Sequence, residues 1–246
     1  MAEEVLAPEV GGLSQVERVV DTFVAPTKTF TDILRSTSWW LPFLLGAMVS
    51  YGLMAGIAQK VGWAQLTDNQ IQSSPSSQAQ LANATPEQGA KIRSMMTASF
   101  KYSFAASPVI NILSLLVISL VLWPTINFVF AGKSTFGQVF SVMAYAFLPE
   151  AIKALIATAV LYIGTSAENF TADNMLGTSP GYYLSNPGAL KVFLTSFDIF
   201  TIWAMVLMAI GLAIVGKIKR SSAFIAVFGW WLLIVLIKTG YTAFTS

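Results

Sequence analysis

Five stretches of this chain are too long and too apolar to belong anywhere but across a bilayer, and they constrain its fold more than any motif does. They cover residues 39–58, 108–130, 140–163, 198–216 and 223–242. A hydrocarbon core about 30 Å thick takes roughly 20 residues of helix to cross. Lipid offers no water to backbone N–H and C=O groups, so each stretch must bond its own backbone as an α-helix. Composition agrees: 55% of residues are hydrophobic and 11% charged, against about 25% charged in soluble domains. The expected fold is all-α, a polytopic membrane protein: a bundle of five transmembrane helices with short amphipathic interfacial helices. That membrane domain takes residues 14–246, and residues 1–13 read as a disordered tail.

The missing residue types exclude whole classes of chemistry. Cysteine and histidine are both absent, which removes thiol nucleophiles, imidazole metal ligands, Ser-His triads and histidine proton shuttles. No catalytic residues, metal or cofactor are expected. The net charge of +2 gives no reason to expect a nucleic-acid partner. Glu3, Glu4 and Glu9 open the chain, and no apolar run precedes Trp39, which does not fit a cleavable signal peptide.

Between the spans, capping chemistry marks shorter helices. Ser14 and Glu17 form a capping box, followed by Val16, Val19, Val20 and Phe23 at helical spacing. After Pro26, Phe30, Ile33 and Leu34 resume the pattern. Two short amphipathic helices are expected here, either on the membrane surface or packed on the bundle. Residues 59–107 form a polar excursion, its Gln-, Ser- and Asn-rich first half expected to be mobile. Thr85, Pro86 and Gln88 then start a second candidate interfacial helix bearing Ile92, Met95, Met96, Phe100 and Phe104. Residues 131–138 can only be a tight turn, which makes spans two and three antiparallel neighbours. The second excursion, 164–197, carries turn residues at Ser179-Pro180-Gly181 and Asn186-Pro187-Gly188. Gly52 and Gly56 make a GxxxG spacing, weak evidence for dimerisation.

Span three holds the candidate site. Pro149, Glu150 and Lys153 fall near its middle, where each charge costs about 2.5–3.5 kcal/mol on insertion scales. Pro149 removes a helical hydrogen bond and strips the carbonyl of Tyr145 of its usual donor. Glu150 and Lys153 share a helix face in the favourable order. They read either as a self-compensating pair that fixes helix packing or as a polar site open to an ion, proton or lipid headgroup. Tyr145 and Asn127 complete the candidate site; Asn111 and Asn127 also suit interhelical hydrogen bonds. Asp198 suits the N-cap of span four. Trp39, Trp40, Lys217, Lys219 and Arg220 are the expected interfacial anchors. Positive residues crowd the short segments beside Arg18, Lys133 and Lys217, so the N-terminus is expected in the cytoplasm and the C-terminus outside.

Several spaced residues resemble the Yip1-domain family. They are Ala25-Pro26 with Phe30 and Ile33, Trp40-x-Pro42, the turn Gly132-Lys133-Ser134-Thr135-Phe136, Tyr145-Ala146-x-x-Pro149, and Asp198-x-Phe200-x-x-Trp203. The resemblance covers nearly the whole chain from about Val16. It implies a five-span protein that acts as a membrane scaffold or adaptor, with the lipid bilayer, related membrane proteins or a second copy as partners. A small permease or lipid-moving protein using Glu150 and Lys153 is the alternative. Eukaryotic relatives associate with prenylated Rab GTPases. This chain lacks that branch's Asp-Leu-(Tyr/Trp)-Gly-Pro and Gly-Tyr-Gly motifs, which argues against a Rab-type partner and for a bacterial cytoplasmic-membrane member.

Overall fold

The computed structural model describes residues 12–164, 167–172, 175–184 and 188–245. Residues 1–11 of the expected tail (1–13), and Asn186 and Pro187 of the second expected turn, lie outside the described residues. Those described contain helices and no strands.

Helix starts follow local chemistry. α1 (Gln15–Val24) and α6 (Pro86–Ala105) open with the expected capping boxes, Ser14 with Glu17 and Thr85 with Gln88. A third box, Thr135 with Gln138, opens α8 (Phe136–Ala146). Proline stands in the first turn of α2 (Pro26–Asp32), α6, α7 (Ser107–Pro124) and α9 (Leu148–Ile163), where a missing N–H costs nothing. The remaining helices are α3 (Trp40–Lys60), α4 (Trp63–Ser73), α5 (Pro75–Ala82), α10 (Ala189–Thr195), α11 (Ile199–Gly216) and α12 (Arg220–Thr245). Pro124 passes α7 into a π-helical turn, Thr125–Val129.

Five helical segments are long and apolar enough to cross a membrane: Trp40–Lys60, Ser107–Val129, Phe136–Ile163, Ile199–Gly216 and Arg220–Phe244. The fourth is the axis of the bundle, with 56% of its span buried against 22–28% for the others. Gly211 explains part of this: a Cβ there would collide with Val142 and meet Phe30 at 3.0 Å. The turn after α7 is stitched to the end of α11, the Lys133 N–H donating to the Gly216 carbonyl at 3.1 Å. We call this end of the bundle the turn face and the opposite end, with the long connections, the loop face.

Two cores result. The larger joins α2, α7, α8, α11 and α12 through Phe30, Leu122, Val142, Leu212 and Val227. The smaller lies at the loop face, where the ends of α3 and α9 run on beyond the bundle; Leu53, Ile57, Leu66, Leu161 and Phe170 build it. Gly56 belongs to this contact, where a Cβ would lie 3.5 Å from Leu161. The polar half of the first excursion, expected to be mobile, instead forms α4 and α5. Leu66 and Ile71 are buried, and the Asn69 amide donates to the carbonyls of Ala167 and Phe170 at 2.7 and 2.8 Å. Its polar composition hid the few apolar positions that anchor it.

The N-terminal helices resolve the choice between surface and bundle. α2 packs on the bundle, with Phe30 and Ile33 fully buried. Phe23 of α1 meets the Trp203 ring edge-on at 5.5 Å. Trp203 lies about 20 Å along α11 from Gly216, so the α1–α2 hairpin reaches well into the bundle. Its polar residues Arg18 and Thr22 are buried, whereas Val16, Val20 and Val24 face outward. The apolar face read from the spacing thus splits: Val19 and Phe23 pack on the core, Val16 and Val20 do not. Periodicity locates a face but not the direction in which it points.

Candidate functional site

Span three breaks at Phe147, and Pro149 sits in the first turn of its second half, α9. The break swings Glu150 and Lys153 towards α11. Lys153 Nζ lies 3.1 Å from Asp198 Oδ2 and 4.0 Å from Glu150 Oε2. The expected i,i+3 pair is therefore the looser of two contacts, and the main partner of Lys153 is on another helix. Asp198 caps α11 as expected, its Oδ1 accepting from the N–H groups of Phe200 at 3.0 Å and Thr201 at 3.3 Å. Its other oxygen accepts from the Thr178 hydroxyl. Glu150 Oε1 accepts from the Thr201 hydroxyl at 2.8 Å.

Glu150 and Lys153 fall near the middle of the third candidate span, as expected, but opposite the end of the fourth. Asp198 is the N-cap of span four, so Glu150 and Lys153 stand level with the loop-face end of that helix. They occupy the seam between the two cores.

Two residues assigned to this site are elsewhere. Tyr145 is fully buried beside the N-terminal hairpin and donates to Gln15 Oε1 at 2.9 Å. Asn127 holds the turn at the opposite face, accepting from the Ser134 N–H at 2.9 Å and donating to its carbonyl at 2.8 Å. Trp123 Nε1 donates to that same carbonyl at 3.0 Å. Both residues lie on the helices expected, but on faces that the apolar pattern did not distinguish. Among the expected anchors, Trp40, Lys217, Lys219 and Arg220 are exposed. Trp39 instead packs edge-on against Phe140 at 5.2 Å.

A cavity of about 250 Å³ opens beside Glu150, between α3, α7 and the α8–α9 break. Ser50, Asn111, Ser114 and Glu150 are its polar lining. Its other lining includes Phe43, Gly46, Leu115 and Phe147. The Glu150 side chain is 31% exposed, Lys153 19% and Asp198 7%, so accessibility rises from the cap towards the cavity. Thr178 and Thr201 join the site without any sequence signal beyond their nearness to Asp198. No three carboxylates converge as a metal site among the described residues.

A profile of the Yip1 domain matches residues 20–239, from within α1 to within the fifth span, and takes in the cavity. The chain belongs to the Yip1 domain family. It is similar to "Membrane protein YknW" of Bacillus subtilis (strain 168), with 23% identity over 219 residues. That alignment covers 88% of this chain and 86% of the relative. No solved structure matches it. The match and the five apolar helices together make this Yip1 protein a multi-pass integral membrane protein. The Glu150–Lys153–Asp198 cluster lies inside the matched region, as part of the Yip1 domain rather than an addition to it.

Proposed function

We propose that this protein is an integral membrane scaffold or adaptor that organises partner proteins or lipid within the bilayer, and not an enzyme. The observation that supports this most is how the charges of span three are employed. Lys153 ties α9 to the capping carboxylate of α11, and Glu150 is tied to Thr201 on the same helix. The cluster joins two cores and presents no nucleophile with a base and an oxyanion donor. In this reading the N-terminus and the turn face are cytoplasmic, the C-terminus is outside, and the host membrane is a bacterial cytoplasmic membrane. Partners are other membrane proteins or a second copy, and no Rab-type GTPase or nucleic acid is involved.

Cross-linking in native membranes tests the scaffold: specific adducts to membrane proteins or to a second copy are expected. Absence of adducts, together with unchanged membrane composition on deletion, would count against it. The cysteine-free sequence makes topology simple to test. Lys219→Cys should be shielded from an impermeant maleimide in intact cells, and Gln80→Cys should be labelled; the reverse pattern inverts the assignment.

The cavity beside Glu150 favours a second reading, a small permease or lipid-moving protein. Liposomes with wild-type protein or Glu150→Gln decide it: this reading requires proton, ion or lipid flux above that of empty liposomes, and loss of it in the variant.

A further inference from the structure

We infer that the cavity between α3, α7 and the α8–α9 break is a binding site for the headgroup of a phospholipid carrying a primary ammonium. This deepens the lipid-organising part of the scaffold reading by naming the lipid class.

The formal charges point to a cation. The cluster holds two carboxylates, Glu150 and Asp198, and one ammonium, Lys153. Lys153 is engaged by Asp198 at 3.1 Å, while its 4.0 Å distance from Glu150 is beyond hydrogen-bond reach. Thr201 occupies Glu150 Oε1, so Oε2 still lacks a donor within bonding distance among the described residues. This oxygen belongs to the carboxylate that lines the cavity. A primary ammonium can donate to it; a quaternary ammonium has no N–H to give. The aromatic residues of the lining are Phe43 and Phe147, too few for the cage that quaternary ammonium ligands use.

The other polar groups fit a phosphate. Asn111 and Ser50 line the cavity, and neither side chain has a hydrogen-bond partner among the described residues. Each side chain carries an N–H or O–H donor that a phosphate oxygen can accept from. Ser114 differs, since its hydroxyl already donates to the Ile110 carbonyl at 2.8 Å.

Position identifies the source as lipid. The Tyr51 hydroxyl donates to the Ala105 carbonyl at 3.4 Å, which sets Ser50 level with the loop-face start of α7. Glu150 is level with the start of α11, so the polar end of the cavity lies at the loop-face end of span four. Phe43, Leu115 and Phe147 line the remainder, suited to an acyl chain. Beside these walls Met48, Val109 and Leu113 face outward, 62%, 59% and 55% exposed, as residues against bilayer would. The volume is below the roughly 300–1,000 Å³ of drug-sized pockets. It suits a headgroup or part of one chain, with the rest of the lipid left in the bilayer.

The test is native mass spectrometry of the full-length protein in detergent with equimolar phosphatidylethanolamine, phosphatidylcholine and phosphatidylglycerol of identical chains. Wild type should retain phosphatidylethanolamine about tenfold over phosphatidylcholine, the ratio given by one charge-assisted hydrogen bond. Glu150→Gln should abolish that preference. Ser50→Leu, which fills the cavity and keeps the carboxylate, should lower phosphatidylethanolamine retention to the phosphatidylcholine level. Thermal melting identifies a misfolded variant, in which case the other decides. Equal retention of all three lipids, preference for phosphatidylglycerol, or wild-type selectivity in either folded variant overturns the proposal. So does displacement of the bound lipid by millimolar free ethanolamine, which would make the ligand a soluble amine. Missing cross-links to partners would defeat the scaffold reading without altering these lipid ratios, so the two can fail separately.

Discussion

The Arg18–Asp32 pair and the Lys153–Asp198 pair are made of similar groups, yet one is closed and the other is left open. Arg18 is fully buried and its guanidinium is fully occupied. Nε donates to Asp32 Oδ2 at 2.6 Å, Nη1 to the Ser36 carbonyl at 2.9 Å and Nη2 to the Asp32 carbonyl at 3.3 Å. Every bond closes the N-terminal hairpin on itself or on the segment leading to α3. At the loop face, by contrast, exposure rises to 31% at Glu150 and one carboxylate oxygen stays without a donor among the described residues. Buried ion pairs stabilise only when their remaining polar groups are also satisfied. The first cluster meets that condition and behaves as a fastening; the second meets it only on the Asp198 side and leaves a site.

The sharpest way to break the comparison is Arg18→Leu. Removing one partner of a buried pair costs about 3–5 kcal/mol, so we expect a large fall in melting temperature in detergent. Protease should also reach the segment between Ser14 and Ser36. If melting is unchanged, Arg18 is not the fastening. Next comes Gly211→Ala, which drives a methyl into Val142 and Phe30. Overpacking costs about 1–3 kcal/mol, and the hairpin should loosen while the Lys153–Asp198 link holds, as cross-linking of α9 to α11 would report.

Asp198 separates its two roles through a pair of variants. Asp198→Asn keeps an N-cap but loses the ion pair, and Asp198→Ala loses both. The alanine variant should be less stable by about 1 kcal/mol, the worth of a cap, in chemical or thermal melts. Equal stability would mean the ion pair alone matters.

The smallest effect expected is on pH dependence. Partial burial pushes the Asp32 carboxyl up, but hydrogen bonds from Arg35 and Arg18 outweigh it and hold the group below its ordinary value. A depressed carboxyl stabilises the fold above its unfolded pKa, about 3.9. That stabilisation is lost as pH falls through the lower folded value. Protease sensitivity of the hairpin should therefore be flat from neutral pH down to about 4 and rise below it. A rise beginning near pH 6 would show that another group controls docking.

Much of this was legible in the residues. Helix starts at Ser14, Thr85 and Asp198 follow from side chains that bond the backbone within three residues, and such local chemistry is written in order along the chain. The role of Asp198 as a cap could be read; its bond to Lys153 could not, because nothing in the spacing joins position 198 to 153. Tyr145 and Asn127 were placed on the correct helices and at the wrong site for the same reason. In an apolar helix the hydropathy pattern is too uniform to say which face meets which neighbour. The inward turn of Arg18 was hidden too, since an amphipathic pattern reads alike whether its polar face meets water or a satisfied interior.

By itself, then, the sequence determined five spans, their caps and breaks, and membership of a membrane-protein class. Each of these depends on bonding within one turn of helix or on transfer from water to lipid. Tertiary structure alone decided that Lys153 binds Asp198, that Glu150 lines a cavity with α3 and α7, and that the N-terminal hairpin packs into the bundle. Those outcomes depend on which helix faces meet across long separations in the chain, and in a uniformly apolar chain only packing selects them.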